Sequence, residues 1–382
     1  YLGQIKTPFN KQRLIEELSA FLRKSGTRER LVSALDNLDY LVLSAIQVLP
    51  VPTQQKIVNV LAPSLSFPDV YERILNLEER LVIYREADGG DAKRGKDFSS
   101  RRYAINPHLL DALPDFDPLS VLTAPSFPSQ ATHAVLPVDD MALAGLYSFF
   151  LHSDESPRND GSLRKKTIAE LLSVFPHFPR DEQFPDMVTV ALRNLSLLVV
   201  RDGSLLPDAA RWKAFAETAP LERLAYVIAS VNGRYDRQTL QRNAQTVMDF
   251  VGALMPEQGY SREALDRLSI ILTELSGRDP AASGRGRLAE LLGEEASLHH
   301  APQVVSRSLL ELAQLFALVV EEDGVFRRNS QIDALLIPQG TPPALVVSPS
   351  FEAVLMPGSQ LADILPLVRF MAVADKIGRA HV

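Results

Sequence analysis

The chain has 382 residues, enough for two or three domains of ordinary size. With 46% hydrophobic and 23% charged residues, 19 Gly and 26 Pro, it is a poor fit to wholesale disorder, collagen or coiled coil, and no cysteine is present for disulfides, thiol catalysis or thiolate metal sites. A formal charge of −7, from 40 Lys plus Arg against 47 Asp plus Glu, excludes a global basic surface, so any nucleic-acid contact has to come from local patches.

From the N-terminus, periodicity predicts helices. Leu14, Leu18, Phe21 and Leu22 form one apolar stripe, and Leu31, Leu35, Leu38, Leu41, Val42 and Ala45 form a second, which Pro50 and Pro52 stop. Thr53 is placed to cap a third helix carrying Ile57, Val58 and Leu61 and closed by Pro63, and Pro68 fits the first turn of a fourth with Val70, Ile74 and Leu77. The period then changes to a strand at 81–84, a polar Gly-rich loop at 87–100 and a returning strand at 102–105. Helices followed by a hairpin is the layout of a winged helix, here predicted over 1–113.

Pro114, Pro118, Pro125, Pro128 and Pro137 mark 114–137 as an extended linker. The same order then recurs over 138–218, with helices at 141–151, 168–175 and 187–195 and a hairpin turning at Asp202-Gly203. A longer copy over 219–337 has helices at 221–231, 240–254, 262–275, 286–292 and 304–315, and a hairpin turning at Asp323-Gly324. The predicted fold class is mainly α (α+β), with tandem winged-helix-like units.

Pro338, Gly340, Pro342 and Pro343 mark a second boundary, beyond which strand, strand and helix patterns at 345–347, 351–355 and 361–371 predict the truncated start of a small α/β domain over 338–376. Its segment PPALVVSPSFEAVLMPG, followed by a helix with Leu361, Ile364, Leu365, Leu367 and Phe370, resembles the opening of the helicase-associated domain at the N-terminus of XPB-type DNA repair helicases. The resemblance covers 345–371 and is carried most by Phe351-Glu352; the family usually has Gln where this chain has Ser348. Bacterial proteins of that kind often place winged-helix-like regions ahead of the domain, so the resemblance implies association with DNA metabolism, with or without a motor. The chain opens on Tyr1 rather than Met, and residues 377–382, IGRAHV, match the in-frame translation of a sequencing adapter. The tail is therefore expected to be non-native, with the natural protein continuing past Lys376.

No catalytic constellation emerges from the pattern, and no cofactor or metal site is expected. Gly90, Gly95 and Lys96 satisfy part of a phosphate loop, but Asp97 stands where a magnesium-binding hydroxyl is needed. Asp181-Glu182 reads as a helix entry, and the adjacent His299-His300 do not share a helix face as two ligands would. No apolar run reaches the ~18 residues of a membrane span, and no signal-peptide pattern opens the chain, so a soluble, cytoplasmic protein without a membrane partner is the default expectation.

The helix before each hairpin, where a winged helix places its recognition helix, carries few base-reading cations: Asp69, Glu72, Glu78 and Glu79 oppose Arg73 and Arg80 in the first, Asp186 opposes Arg193 in the second, and Glu311 accompanies Arg307 in the third. The basic clusters lie elsewhere. Lys93, Arg94, Lys96, Arg101 and Arg102 crowd the first wing, Arg164, Lys165 and Lys166 precede a helix of the second unit, and Arg327 and Arg328 end the third wing. These predict a non-catalytic DNA-associated module that contacts backbone phosphate without reading sequence. The alternative is a docking scaffold for a helicase or nuclease partner.

Overall fold

The computed structural model describes residues 11–86, 101–123, 127–128, 132–153, 155–158, 161–276, 307–336, 345–347, 353–355 and 359–380. It is mainly helical with small antiparallel sheets. In chain order the first elements are α1 (Lys11–Arg23), α2 (Ser25–Ser33), α3 (Asn37–Val48), α4 (Gln54–Leu61), α5 (Phe67–Glu79), β1 (Ile83–Arg85), β2 (Tyr103–Ile105) and α6 (Pro118–Leu122). Then come β3 (Phe127–Pro128), α7 (Asp140–His152), α8 (Lys165–Val174), α9 (Gln183–Asn194), β4 (Leu198–Arg201), β5 (Ser204–Pro207), α10 (Ala209–Ala216), α11 (Pro220–Ala229), α12 (Arg237–Gly252), β6 (Gln258–Tyr260) and α13 (Arg262–Leu275). The last described are α14 (Leu309–Leu315), β7 (Val319–Glu322), β8 (Val325–Arg328), α15 (Gln331–Leu336), β9 (Leu345–Val347), β10 (Ala353–Leu355) and α16 (Leu361–Ala380).

The chain forms two compact units: Tyr1–Ser126 with Tyr260–Gly277, and Phe127–Gly259 with Arg278–Val382. In the first, Val42, Leu43, Ile57, Leu61, Ile74, Leu77, Tyr103 and Leu122 share one core. Thr53 caps α4 through its hydroxyl, as its position predicts, and Ser66 caps α5 in the same way, with Pro68 in the first turn. The stripe from Leu31 to Ala45 breaks into α2 and α3, which meet at 107°. Asp36 and Asp39 cause the break by forming a reciprocal capping box that starts a new helix.

Two expected boundaries differ from the structure. Within the predicted linker 114–137, Asp117 caps α6, whose Leu122 is buried and whose axis packs on α3. Helix α13, expected within 219–337, belongs to the first unit: Lys56 Nζ lies 2.7 Å from Glu274, Arg267 Nε donates to the Leu122 carbonyl at 2.7 Å, and Ile271 joins the core. Long-range packing, invisible to periodicity, makes both differences.

In the second unit, β4 pairs with β5, and β3, β6, β8 and β7 form a sheet in that order. The expected α/β segment 338–376 is not set apart there. Strands β9 and β10 pair antiparallel, but α16 packs on α7 and α10, and its Leu361 N–H donates to Asp140 Oδ2 at 2.9 Å. The helix runs on past Lys376 to Ala380.

One joint recurs three times. At the ends of α5, α9 and α14 a non-glycine residue takes the left-handed region, Leu81 at φ 59°, Ser196 at 57° and Ala317 at 54°. The next amide returns to a carbonyl five residues back: Val82 to Leu77 at 2.9 Å, Leu197 to Leu192 at 2.8 Å and Leu318 to Ala313 at 2.7 Å. The hairpin that follows is closed each time by the first residue beyond it. Asn106, Asp208 and Asn329 donate their backbone N–H to Val82, Leu197 and Leu318 at 2.9, 2.9 and 3.0 Å. Asp202-Gly203 and Asp323-Gly324 have positive φ at both positions, as the two-residue hairpin turn requires. A helix–hairpin unit repeated three times in the chain is therefore a structural fact.

Candidate functional site

The cations at the helices that precede the hairpins are engaged inside the fold. Arg73 pairs with Asp36 at 2.6 Å and Asp39 at 3.4 Å, and Arg80 reaches Asp39 and the Ala34 carbonyl at 3.3 and 2.8 Å. In α9, Asp186 accepts from the Leu163 amide at 2.7 Å, and Arg193 donates to the Gly161 carbonyl at 2.5 Å. Burial pulls the Arg193 pKa below its ordinary value, only partly opposed by Asp186. Arg307 bonds Asn232 and Gln183, and Glu311 closes a capping box with Ser308. These groups hold helices in place, which occupies the cations that base reading would need. Asp181 accepts from the Gln183 amide at 2.9 Å, the helix entry that its position predicts.

The predicted cationic residues separate. Lys93, Arg94 and Lys96, with the Gly90 to Asp97 string, lie outside the described residues, as do His299 and His300. Arg101 is half-buried and Arg102 exposed, the latter bridged through its backbone to Thr53. Arg327 pairs with Glu322 at 2.9 Å. Arg328 corrects the expectation outright: it is 7% exposed, donates to the Leu254 carbonyl at 3.1 Å and pairs with Asp333, so it is no wing cation available to a phosphate.

The start of α8 is different. Arg164 precedes the helix in extended backbone without a side-chain cap, and Lys165 and Lys166 occupy the first turn. All three side chains are exposed and make no hydrogen bond or ion pair among the described residues, although the Arg164 carbonyl accepts from the Ile168 amide at 3.0 Å. Cations at a helix N-terminus oppose the macrodipole, so this placement carries an electrostatic cost that an anion would offset. The preceding turn adds exposed Arg158, whose carbonyl accepts from Gly161 at 2.8 Å and whose N–H donates to Ser162 at 2.9 Å. Bonds from Arg193 to Gly161 and from Leu163 to Asp186 anchor this turn to α9. Asp154, Glu155 and Asp160 lie in the same stretch, so the surplus of positive charge is concentrated in residues 164–166. The sequence pattern does not single out Arg158, because no other cation adjoins it; the turn hydrogen bonds bring it near the helix start.

Among the described residues no group of three or more His, Asp or Glu is arranged to hold a metal. No single described helix is long and apolar enough to cross a membrane.

The family model TP_0021_N, described as an N-terminal domain, matches residues 1–23. A Treponema pallidum (strain Nichols) protein named as an uncharacterized protein is 27% identical over 342 residues, covering 78% of this chain and 46% of the relative. The chain thus spans about half the length of the curated relative it matches. No solved structure matches it.

Proposed function

We propose that this chain is a non-catalytic, cytoplasmic module of tandem winged-helix-like units, within a longer DNA repair or processing protein, that binds nucleic-acid backbone. The observation that supports this reading is the exposed run Arg164, Lys165 and Lys166 at the uncapped start of α8, with Arg158 beside it. In a helix–hairpin unit the start of the second helix is a place where phosphate meets both cationic side chains and free backbone N–H groups. Residues so placed neutralise phosphates without reading bases, which gives salt-sensitive binding of little sequence preference. The resemblance of 345–371 to the XPB-type helicase-associated domain supports the DNA setting.

The test is binding to labelled single-stranded, double-stranded and forked DNA across a salt series. Substituting Arg158, Arg164, Lys165 and Lys166 together by Gln is expected to weaken binding and reduce the salt slope by about 0.7 to 0.9 for each phosphate that is no longer neutralised. Unchanged affinity and slope would remove the proposal. Absence of binding at low salt by the folded protein would favour the second reading, a docking scaffold for a helicase or nuclease partner. That reading draws support from the internal engagement of the cations at the helices that precede the hairpins.

A further inference from the structure

In the second unit a groove of about 770 Å³ opens between α7, α10 and α16. Its concavity has a sequence cause. The faces that α10 and α16 turn to it carry Ala209, Ala216 and Ala362, too small to fill the space between the helices. The floor beneath it is aromatic: the buried Tyr147 of α7 and Trp212 of α10 meet edge to face at 5.3 Å, and Phe370, 69% exposed, stands at the rim. Two cations line the same groove from different helices, Lys213 and Arg369, and neither has an ion pair among the described residues. Glu217, one turn beyond Lys213, pairs with neither, so the lining keeps one surplus positive charge. Pro366 has no N–H to return to the carbonyl of Ala362, so the wall formed by these two residues includes a peptide oxygen without its helical donor. Burial raises the Tyr147 pKa above its ordinary value, against a weaker opposing effect of Arg369, so its hydroxyl remains a donor at neutral pH.

An apolar, aromatic concavity within the ~300–1,000 Å³ range of small-molecule sites, with a few charged groups converging on it, fits a ligand of one kind. We propose that this groove binds a small amphipathic monoanion, a carboxylate with an extended apolar body. The body lies against Phe370, Pro366 and Leu151, over a buried floor of Trp212, Tyr147 and Leu365, and the carboxylate meets Lys213 and Arg369. This site is independent of the cations at the start of α8.

Trp212 is the chain's one tryptophan and lies buried beneath the groove, so its emission reports changes in the groove above it. Decanoate, the probe, is titrated against the full chain below its micelle concentration, beside decanol and decyltrimethylammonium. The expected result is a saturable one-to-one change with decanoate, about tenfold tighter than with the neutral or cationic analogue, a difference of about 1.4 kcal/mol, because only the carboxylate accepts charge-assisted bonds from the two cations. Lys213→Gln with Arg369→Gln is expected to abolish that preference. Ala362→Leu, at an exposed position, is expected to narrow the groove and weaken decanoate binding while the circular dichroism and melting temperature stay unchanged. No saturable response, equal response to the cationic amphiphile, or unaltered binding in the folded Ala362→Leu protein would each overturn the proposal. A protein found covering the groove in place of an amphiphile would overturn it as well.

Discussion

Asn329 donates from Nδ2 to the carbonyl of Ala317 at 2.8 Å, which locks the end of a hairpin onto the left-handed residue that begins it. The same amide also donates to the Ala134 carbonyl at 2.7 Å, and its Oδ1 accepts from Ala134 and Gln331 at 3.3 and 3.0 Å. In the first unit Asn106 makes the matching bond to Leu81 at 2.8 Å. Asp208, lacking an amide donor, takes this place in the middle copy, where the Trp212 indole donates to the Leu197 carbonyl at 2.8 Å. The joint is preserved while its chemistry varies.

Asn329 is fully buried, so Asn329→Leu strands several backbone groups without partners and is expected to cost about 3 kcal/mol or more. Asn106→Leu, at a half-buried site with fewer bonds, should cost less. Urea midpoints of the two variants check the order, and equal losses would contradict it.

The left-handed residues are a reserve of backbone strain. Ala317→Gly and Ser196→Gly are expected to raise stability by up to about 1 kcal/mol, because a left-handed L-residue costs roughly 1–2 kcal/mol and the chain entropy of glycine offsets only part of the relief. Gly203→Ala runs the other way: nothing lies within 4 Å of the added Cβ, so any loss comes from its φ of 81° alone. Thermal melts of the three variants test both signs.

Arg223 is fully buried, pairs with Asp140, and donates to the carbonyls of Ala216 and Thr218, while Asp140 also accepts from the Leu361 amide. Removing one partner leaves a buried charge, so Asp140→Leu alone, which strands the Arg223 guanidinium, is expected to destabilise by about 3–5 kcal/mol. The double variant Asp140→Leu with Arg223→Met is expected to recover part of that loss. Calorimetry of the set would expose additive behaviour, which would contradict the coupling.

Acid stability should depend on helix caps. The Asp36 carboxyl is held below its ordinary value chiefly by the Asp39 amide, opposed by desolvation, with Arg73 adding to the lowering. Asp236 is lowered chiefly by the Thr239 hydroxyl, and Glu263 chiefly by its own backbone N–H. A carboxyl lowered on folding contributes stability above its unfolded pKa, and that contribution is lost as pH falls through the folded value. The melting temperature is therefore expected to hold from neutrality to the upper edge of the carboxylate range and to decline below it. Asp36→Asn should start lower and decline less steeply, which a pH series of melts reads directly.

Arg328 separates structural from binding roles. Arg328→Met is expected to lower the melting temperature, because Asp333 and the Leu254 carbonyl lose their partner, while any DNA affinity and its salt slope stay unchanged. A weakened salt slope in this variant would return it to the nucleic-acid surface.

Local information is enough for the helix starts at Thr53 and around Pro68, the apolar faces of α4 and α5, and the Asp-Gly turns, because capping, proline and positive-φ turns are decided within a few residues. Periodicity also exposes the threefold helix–hairpin order. It runs one helix through Asp36, since a reciprocal cap of two carboxylates does not disturb an apolar stripe. Only tertiary packing decides which residues far apart in the chain meet. It draws α13 into the first unit through Glu274 and Arg267, buries Arg328 beneath Asp333, and brings Lys213 and Arg369 to one groove. The residue types of the candidate site are set by the sequence, but which cations stay exposed depends on which carboxylates and carbonyls the fold places beside them.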